Sequence, residues 1–172
     1  MKFVYISSFK NSQLSWFLYH WQSRPYVKYK SRFCIFTSEE PEIMKTDIQH
    51  CRELGVTGIV LGILTTGNQI DIERTRELVE LAHPMQVTFH KAFDETPDYR
   101  QALEDVIAAG ALRILTSGTK STATEGSEIL NEMIAQASGR IKIVAAGKIT
   151  SENIDKLSKI INTNEFHGKR IV

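Results

Sequence analysis

The chain has few cysteines and almost no excess of charge. Its 172 residues include 2 cysteines, Cys34 and Cys51, and carry a formal net charge of +1. The two thiols form no Cys-x-x-Cys pair, so the sequence indicates neither a disulfide framework nor a zinc site. The small net charge gives no electrostatic reason to expect nucleic acid or an anionic membrane as a partner.

Long apolar runs are also absent from the sequence. No uninterrupted hydrophobic stretch approaches the ~20 residues of a membrane span, and residues 1–6 turn polar too early for a secretory signal. Together with reduced thiols, this predicts a cytoplasmic protein. Hydrophobic residues make up 42% of the chain and charged residues 24%, which fits one globular domain with a substantial core.

Residues 1–35 form an atypical N-terminal segment. Residues 3–9 could form a strand, but the aromatic stretch around Trp16 and Trp21 has neither a helical nor an alternating period. The regular part of the chain is residues 36–172, which we expect to fold as one region.

Apolar, β-branched runs alternate with amphipathic helical patterns throughout this regular part. The expected strands are centred near residues 60, 90, 115, 144 and 167, about 23 to 30 residues apart. Strands buried on both faces predict a parallel sheet with right-handed crossovers, either a barrel or a doubly wound open sheet. Closing eight units takes about 250 residues, so five units favour an open sheet or an incomplete barrel.

Helix start signals lie between the expected strands. Pro97 stands at the first helical position, where a proline is tolerated. The predicted start residues are Ser38, Asp71, Thr96, Thr122 with Glu125 as a capping box, and Thr150 or Ser151.

Residues 87–94 carry the most site-like pattern in the chain. Thr88, His90 and Asp94 share one parity of this β-rich stretch, which predicts an imidazole and a carboxylate on the same side of one strand. In the alternative interpretation, His90 is an ordinary core histidine and Asp94 merely begins a loop.

Several segments, in the correct order, resemble the strand-end motifs of the CutC family, described as copper homeostasis proteins. The resemblance covers about residues 36–167. The matching segments are Gly58-Ile59-Val60-Leu61-Gly62, Val87-Thr88-Phe89-His90-Lys91-Ala92-Phe93-Asp94, Arg113-Ile114-Leu115-Thr116-Ser117-Gly118, Ala123-Thr124-Glu125-Gly126 and Glu165-Phe166-His167.

The resemblance implies an α/β fold of the TIM type, a (β/α) barrel that is incomplete here. The fourth to eighth strands of the family barrel are clear, whereas residues 1–31 match none of the motifs of the first three. The chain is then a remodelled or shortened member, or its start derives from different coding sequence. Because unpaired sheet edges promote association, we expect the N-terminal segment or another chain, as in a homo-oligomer, to cover an edge.

In a parallel barrel the loops after the strands meet at one rim, so distant residues should converge there. His90, Asp94 and His167 are the predicted catalytic residues, able to exchange protons near neutral pH or to bind a divalent metal. Ser117-Gly118 and Ala146-Gly147 are expected to offer exposed backbone N–H groups near helix starts, which could hold a phosphate or another small anion, although simple turn chemistry is the alternative. The predicted ligand-binding residues are Lys91, Thr116, Ser117, Gly118 and Gly147.

The sequence departs from the family pattern at three places. Lys91 stands where arginine is more common, which removes a bidentate contact, and by strand parity it would face the helix layer. Residues 145–148, Ala-Ala-Gly-Lys, replace a run of glycines and would narrow an anion cradle. Gly168 replaces a cysteine or serine, and with it a soft ligand.

Copper is the cofactor that the family name implies. Cu(I) prefers thiolates and thioethers, and the family's proposed copper cysteines lie in the early strands that are not matched here. Cys34 is the one candidate metal ligand. Three interpretations remain open: a copper-handling CutC-like protein, a barrel enzyme acting on a small anionic or phosphorylated metabolite, and an inactive, degenerate family member.

Overall fold

The alternation of apolar runs and helical patterns folds into a parallel sheet flanked by helices in the computed structural model. The structure describes residues 3–5 and 40–168. Within these residues six strands lie side by side in chain order, and each neighbouring pair is parallel. They are β1 (Phe3–Tyr5), β2 (Gly58–Leu61), β3 (Gln86–Phe89), β4 (Arg113–Thr116), β5 (Lys142–Ala146) and β6 (Phe166–His167).

Helices connect the strands from β2 onward. The α-helices are α1 (Glu40–Glu53), α2 (Ile72–Ala82), α3 (Tyr99–Ala108), α4 (Ser127–Ala137) and α5 (Ile154–Ile160), and a 3-10 helix spans Lys91–Glu95. The five strands expected near residues 60, 90, 115, 144 and 167 are confirmed, as is their parallel arrangement. No helix in the described part of the chain is both long enough and apolar enough to cross a membrane.

The main core lies between the sheet and the helices. Aliphatic and aromatic side chains in register across the strands, such as Ile59 beside Val87 and Phe89 beside Ile114, form its sheet side. The opposite face is also covered, because Val60 and Leu115 are each only 5% exposed. β2, β3 and β4 are therefore largely buried on both faces, as the sequence predicted.

One sheet edge is covered by the N-terminal part of the chain. β1 pairs with β2 in parallel, with Phe3 beside Gly58 and Tyr5 beside Val60. This confirms, for these residues, that the N-terminal segment covers an edge. The other residues of segment 1–35, including Cys34, lie outside the described residues.

The structure confirms some helix starts and corrects others. The Asp71 carboxylate accepts a hydrogen bond from the Arg74 N–H at 3.0 Å, as expected for an N-cap. The third helix, in contrast, is capped by Asp98 instead of Thr96. Thr96 ends the 3-10 helix, and the Asp98 carboxylate accepts the N–H groups that begin α3.

Two further starts lie later in the chain than predicted. Thr122 and Glu125 form the reciprocal capping-box hydrogen bonds, both 3.1 Å, but turns follow and α4 begins only at Ser127. The last helix begins at Ile154, after Asn153, because the Asn153 side chain accepts the Thr150 N–H and closes a turn first. Ser38 lies outside the described residues.

Candidate functional site

The carboxyl ends of the parallel strands lie together at one end of the sheet, which we call the rim. His90 follows β3, Ser117 follows β4, Gly147 follows β5, and His167 is the last residue of β6. Parallel pairing places all four residues at the rim, where (β/α) barrels carry their sites.

The carboxylate of Asp94 is the centre of a hydrogen-bond network at the rim. It accepts the backbone N–H of Ser117 at 3.1 and 3.2 Å and that of Thr119 at 3.0 Å. The Thr116 hydroxyl also donates to it, and the Lys91 ammonium pairs with it at 2.6 Å. Because both carboxylate oxygens are occupied, Asp94 holds two loops together and is not an open proton acceptor.

Lys91 lies at the surface of this network. Its side chain is 45% exposed, and its ammonium contacts both Asp94 and the Ser117 hydroxyl. The expectation that Lys91 faces the helix layer by strand parity is wrong, because the strand ends at Phe89 and residues 91–95 form a 3-10 helix. This turn brings Lys91 and Asp94 to the same side.

Ser117 is a structural hydroxyl in this arrangement. Its side chain lies 2.9 Å from the Asp94 carboxylate and 2.6 Å from the Lys120 carbonyl, and the residue is fully buried. A Ser-Lys nucleophile needs a neutral lysine and an accessible hydroxyl. Here the ammonium is paired with a carboxylate, so the contact between Lys91 and Ser117 does not make a nucleophile.

The N–H groups expected to cradle a phosphate at Ser117-Gly118 already have acceptors. The Gly118 N–H donates to the Thr116 hydroxyl at 2.9 Å, and the Ser117 N–H donates to Asp94. The expectation of exposed N–H groups at this position is therefore wrong. The negative charge that fills this part of the rim belongs to the protein itself.

Glycines allow the loop after β4 to pack without side chains. A Cβ on Gly118 would lie 2.5 Å from the Gly126 carbonyl oxygen, and one on Gly147 would lie 2.8 Å from the Ser117 Cβ. Gly147 has a φ of +111°, and its carbonyl accepts the Ala123 N–H at 2.9 Å. Gly147 thus belongs to the packing around Ser117.

His90 is buried at the start of the 3-10 helix. Its Nδ1 accepts the Ala92 N–H at 3.3 Å, which assigns the proton of the neutral ring to Nε2. Burial lowers the pKa of His90 to about 4. The ring is therefore neutral at physiological pH, which contradicts the expectation of an imidazole that titrates near neutrality.

The prediction that His90 and Asp94 lie on the same side of one strand is also wrong. β3 ends at Phe89, and Asp94 lies in the 3-10 helix, so strand parity does not relate their side chains. His167 lies on β6 in register with Ala146 and is partly exposed. β6 is three strand spacings from β3, about 14 Å along the sheet. The rim therefore joins Lys91 and Asp94 to the loop after β4, with His167 on a more distant strand.

The described residues do not form a metal centre. Within residues 3–5 and 40–168, no group of three or more His, Cys, Asp or Glu side chains could hold an ion. Burial, reinforced by the Asp47 charge, raises the pKa of Cys51 to about 11, so its thiol stays protonated. The Nδ1 contact of His90 also opposes metal binding through Nε2, since that would require a proton on Nδ1.

The sequence did not predict several residues that shape the two ends of the sheet. Gly62 admits the His90 ring, and a glycine closing an apolar strand is a signal for close approach. At the amino-terminal ends of the strands, Arg113 donates to Glu165 and Gln86, both at 2.8 Å. No local sequence pattern predicts these contacts. A shallow cavity of about 240 Å³ lies beside this pairing, at the amino-terminal ends of β5 and β6, away from the rim.

A parallel sheet of βα units with polar side chains gathered at the carboxyl ends of its strands defines a protein of the TIM-type (β/α) barrel class. The model of the CutC family matches residues 24–172, and the chain belongs to this family. The family proposed from the sequence motifs is thereby confirmed.

Curated relatives agree with this assignment. The CutC family protein of Chromobacterium violaceum is 43% identical over 134 residues, which cover 78% of this chain and 54% of the relative. The CutC family protein of Vibrio vulnificus is 40% identical over 135 residues, covering 77% and 54%. The chain spans about half the length of the curated relatives it matches.

Solved structures support the same fold. The crystal structure of CutC from Streptococcus agalactiae, whose name assigns it to copper homeostasis, aligns with a TM-score of 0.79 at 30% identity. The alignment covers 83% of this chain and 70% of that one. An aldolase, QR15, aligns with a TM-score of 0.60 at 18% identity, covering 74% and 61%, which shows a shared fold alone.

Proposed function

We propose that the rim binds a small anionic metabolite, with Lys91 as the charged contact. The observation that carries this proposal is the position of the Lys91 ammonium, which is half-exposed at the strand ends and held by Asp94 and Ser117. An ammonium has three protons, and these two contacts use two of them. The third can donate to a carboxylate or phosphate at the rim.

The neighbouring residues support binding more directly than catalysis. The Asp94 carboxylate is fully hydrogen-bonded, and the His90 ring is buried and neutral. Groups tuned for proton transfer at neutral pH usually have pKa values close to 7. Catalytic roles for His90, Asp94 and His167 therefore stay a prediction, and the proposal rests on recognition of charge.

Ligand screening with a matched pair of variants tests this function. Thermal shift against phosphorylated and carboxylated metabolites, with inorganic phosphate as reference, identifies a ligand, and calorimetry measures its affinity. We expect Lys91→Met to weaken binding at least tenfold, about 1.4 kcal/mol. Lys159→Met, which removes an exposed lysine from the last turn of α5, is the control. Equal affinity of both variants for every ligand found would refute the proposal.

A second candidate function is copper binding, favoured by membership of the CutC family and by the name of the Streptococcus agalactiae protein. Cu(I) prefers thiolates, and Cys51 is buried with a raised thiol pKa. Cys34 is then the proposed ligand. We propose the cytoplasm, where thiols are kept reduced, as the location for either function.

Competition with a Cu(I) chelator tests the copper function. We expect Cys34→Ser to lose copper that the parent protein and Cys51→Ser retain. Retention by the parent no greater than that of the double variant would reject copper binding through these thiols.

A further inference from the structure

We infer that the Asp94 carboxylate occupies an anion cradle built by the loop after β4, and that this built-in anion positions both the loop and the Lys91 ammonium. Asp94 is then a positioning residue. The inference rests on the proposed function in one respect: the ammonium that Asp94 positions is the group proposed to bind the anionic ligand.

The donors around Asp94 match those that proteins offer to a bound anion. Two backbone N–H groups, the Thr116 hydroxyl and one ammonium donate to the carboxylate. The Ser117 hydroxyl, which also contacts the Lys120 carbonyl, lies 2.9 Å from it. The two N–H groups flank Gly118, and Gly118 and Thr119 have φ values of +68° and +59°. Successive residues in such turn conformations form concave anion sites through their N–H groups. At this rim the anion arrives on the neighbouring 3-10 helix.

The cradle is largely buried. The Asp94 side chain is 12% exposed, and Thr116 and Ser117 are fully buried. Removing the carboxylate would leave buried donors without an acceptor, which destabilises a protein more than loss of an exposed hydrogen bond. It would also leave a space shaped for a small carboxylate.

Asp98 provides a matched comparison. Its carboxylate also accepts two backbone N–H groups, those of Arg100 at 2.9 Å and Gln101 at 3.3 Å, at the start of α3. Asp98 is exposed, so water can replace its carboxylate. Loss of this carboxylate creates no enclosed space.

Anion rescue tests the inference. We expect Asp94→Ala to lower the melting temperature by about 5–10 °C. Sodium formate at about ten times its Kd should then raise the melting temperature of Asp94→Ala by about 3–5 °C relative to sodium chloride of equal ionic strength. The parent protein and Asp98→Ala should show no such difference, and Asp94→Asn should not respond because its amide still fills the space.

A local readout separates positioning from general stability. The amide resonances of Ser117 and Thr119 should shift in Asp94→Ala and return toward their parent positions when formate is added. Formate that acts no better than chloride, or equally on Asp98→Ala, would overturn the inference. If Asp94→Ala does not fold in plain buffer, refolding in formate or acetate decides: recovery of folded protein supports the inference, and failure in both overturns it.

The two proposals fail separately. Formate rescue of Asp94→Ala together with unchanged ligand affinity in Lys91→Met would keep the cradle and remove the proposed function. Ligand binding that depends on Lys91 without formate rescue would keep the function and remove the cradle.

Discussion

The imidazole of His90 lies directly against the backbone of Gly62. A Cβ placed on Gly62 would be 2.6 Å from Nδ1 and 2.7 Å from Cε1 of this ring, closer than side-chain atoms pack. The end of β2 and the residue after β3 therefore fit together only because one of them has no side chain.

Gly62→Ala should destabilise the protein by about 1–3 kcal/mol, because the new methyl group must displace the buried ring. Gly67→Ala is the control, since a Cβ there would meet only the Thr65 Oγ1 at 3.8 Å. Chemical denaturation measures both. The cost of Gly62→Ala should shrink in a His90→Ala background, and an unchanged cost would show that the ring is not the obstacle.

Acid should destabilise the protein through His90. The pKa of His90 is about 4 in the folded state, where burial opposes protonation, against 6.5 for the ordinary side chain. Between these values the unfolded chain binds a proton that the folded chain does not, so stability falls as pH decreases from 6.5 to 4, by up to about 3 kcal/mol. Below pH 4 both states are protonated and this loss levels off.

Denaturation curves from pH 7 to pH 4 measure this effect. His90→Gln should lose that part of the pH dependence, and His83→Gln, at an exposed histidine, should keep it. Identical pH profiles for the parent and His90→Gln would show that the buried ring is not the titrating group.

The Arg113–Glu165 pair should stabilise the amino-terminal ends of the strands, at the end of the sheet opposite the rim. Partial burial raises the pKa of Glu165, but hydrogen bonds from Lys142 and Arg113 outweigh it, so the net pKa is lowered. Glu165 therefore stabilises the fold above its ordinary pKa of 4.5, and this contribution is lost as pH falls further.

We expect Glu165→Gln to cost about 1–3 kcal/mol at pH 7, because Arg113 is only 14% exposed and would lose a charged partner. Lys142→Met removes the partner that is 64% exposed and should cost less than about 1 kcal/mol. Equal losses in urea denaturation would contradict this ranking.

Association through a sheet edge is the fourth prediction. Among the described residues, β1 and the two-residue strand β6 are the outermost strands of the sheet, paired with β2 and β5 respectively. Since unpaired edges favour pairing with another chain, we expect a homo-oligomer in light scattering coupled to size-exclusion chromatography. Replacing Phe166 by lysine should shift the population toward monomer. A parent protein that is monomeric at all concentrations would reject this association.

The strands could be predicted from the sequence because a strand buried on both faces appears as a continuous run of apolar residues, as in residues 58–61. Strand parity failed after Phe89 because alternation holds only for extended backbone, and the chain turns there into a 3-10 helix. The donors at Ser117 and Gly118 could be read from the sequence. The acceptor of the Ser117 N–H could not, because Asp94 lies 23 residues earlier and only the tertiary fold brings it near. The Gly118 N–H donates instead to the nearby Thr116 hydroxyl.

Helix starts show the same limit on a smaller scale. Asp71 was recognisable, but Thr96 and Asp98 are both good capping residues, and the choice between them depends on where the preceding 3-10 helix ends. Local preference narrows such positions to a few residues, and packing selects among them.

The close approach of Gly118 and Gly126 limits how the rim can open. Backbone atoms of the two glycines meet with no space for a methyl group, and the Thr122–Glu125 pair ties the segment between them. The stretch from Ser117 to Gly126 is thus held at its two ends by close backbone packing and between them by the Thr122–Glu125 hydrogen bonds. Because the Lys91 side chain is already 45% exposed, an anion can reach its ammonium while this stretch stays in place.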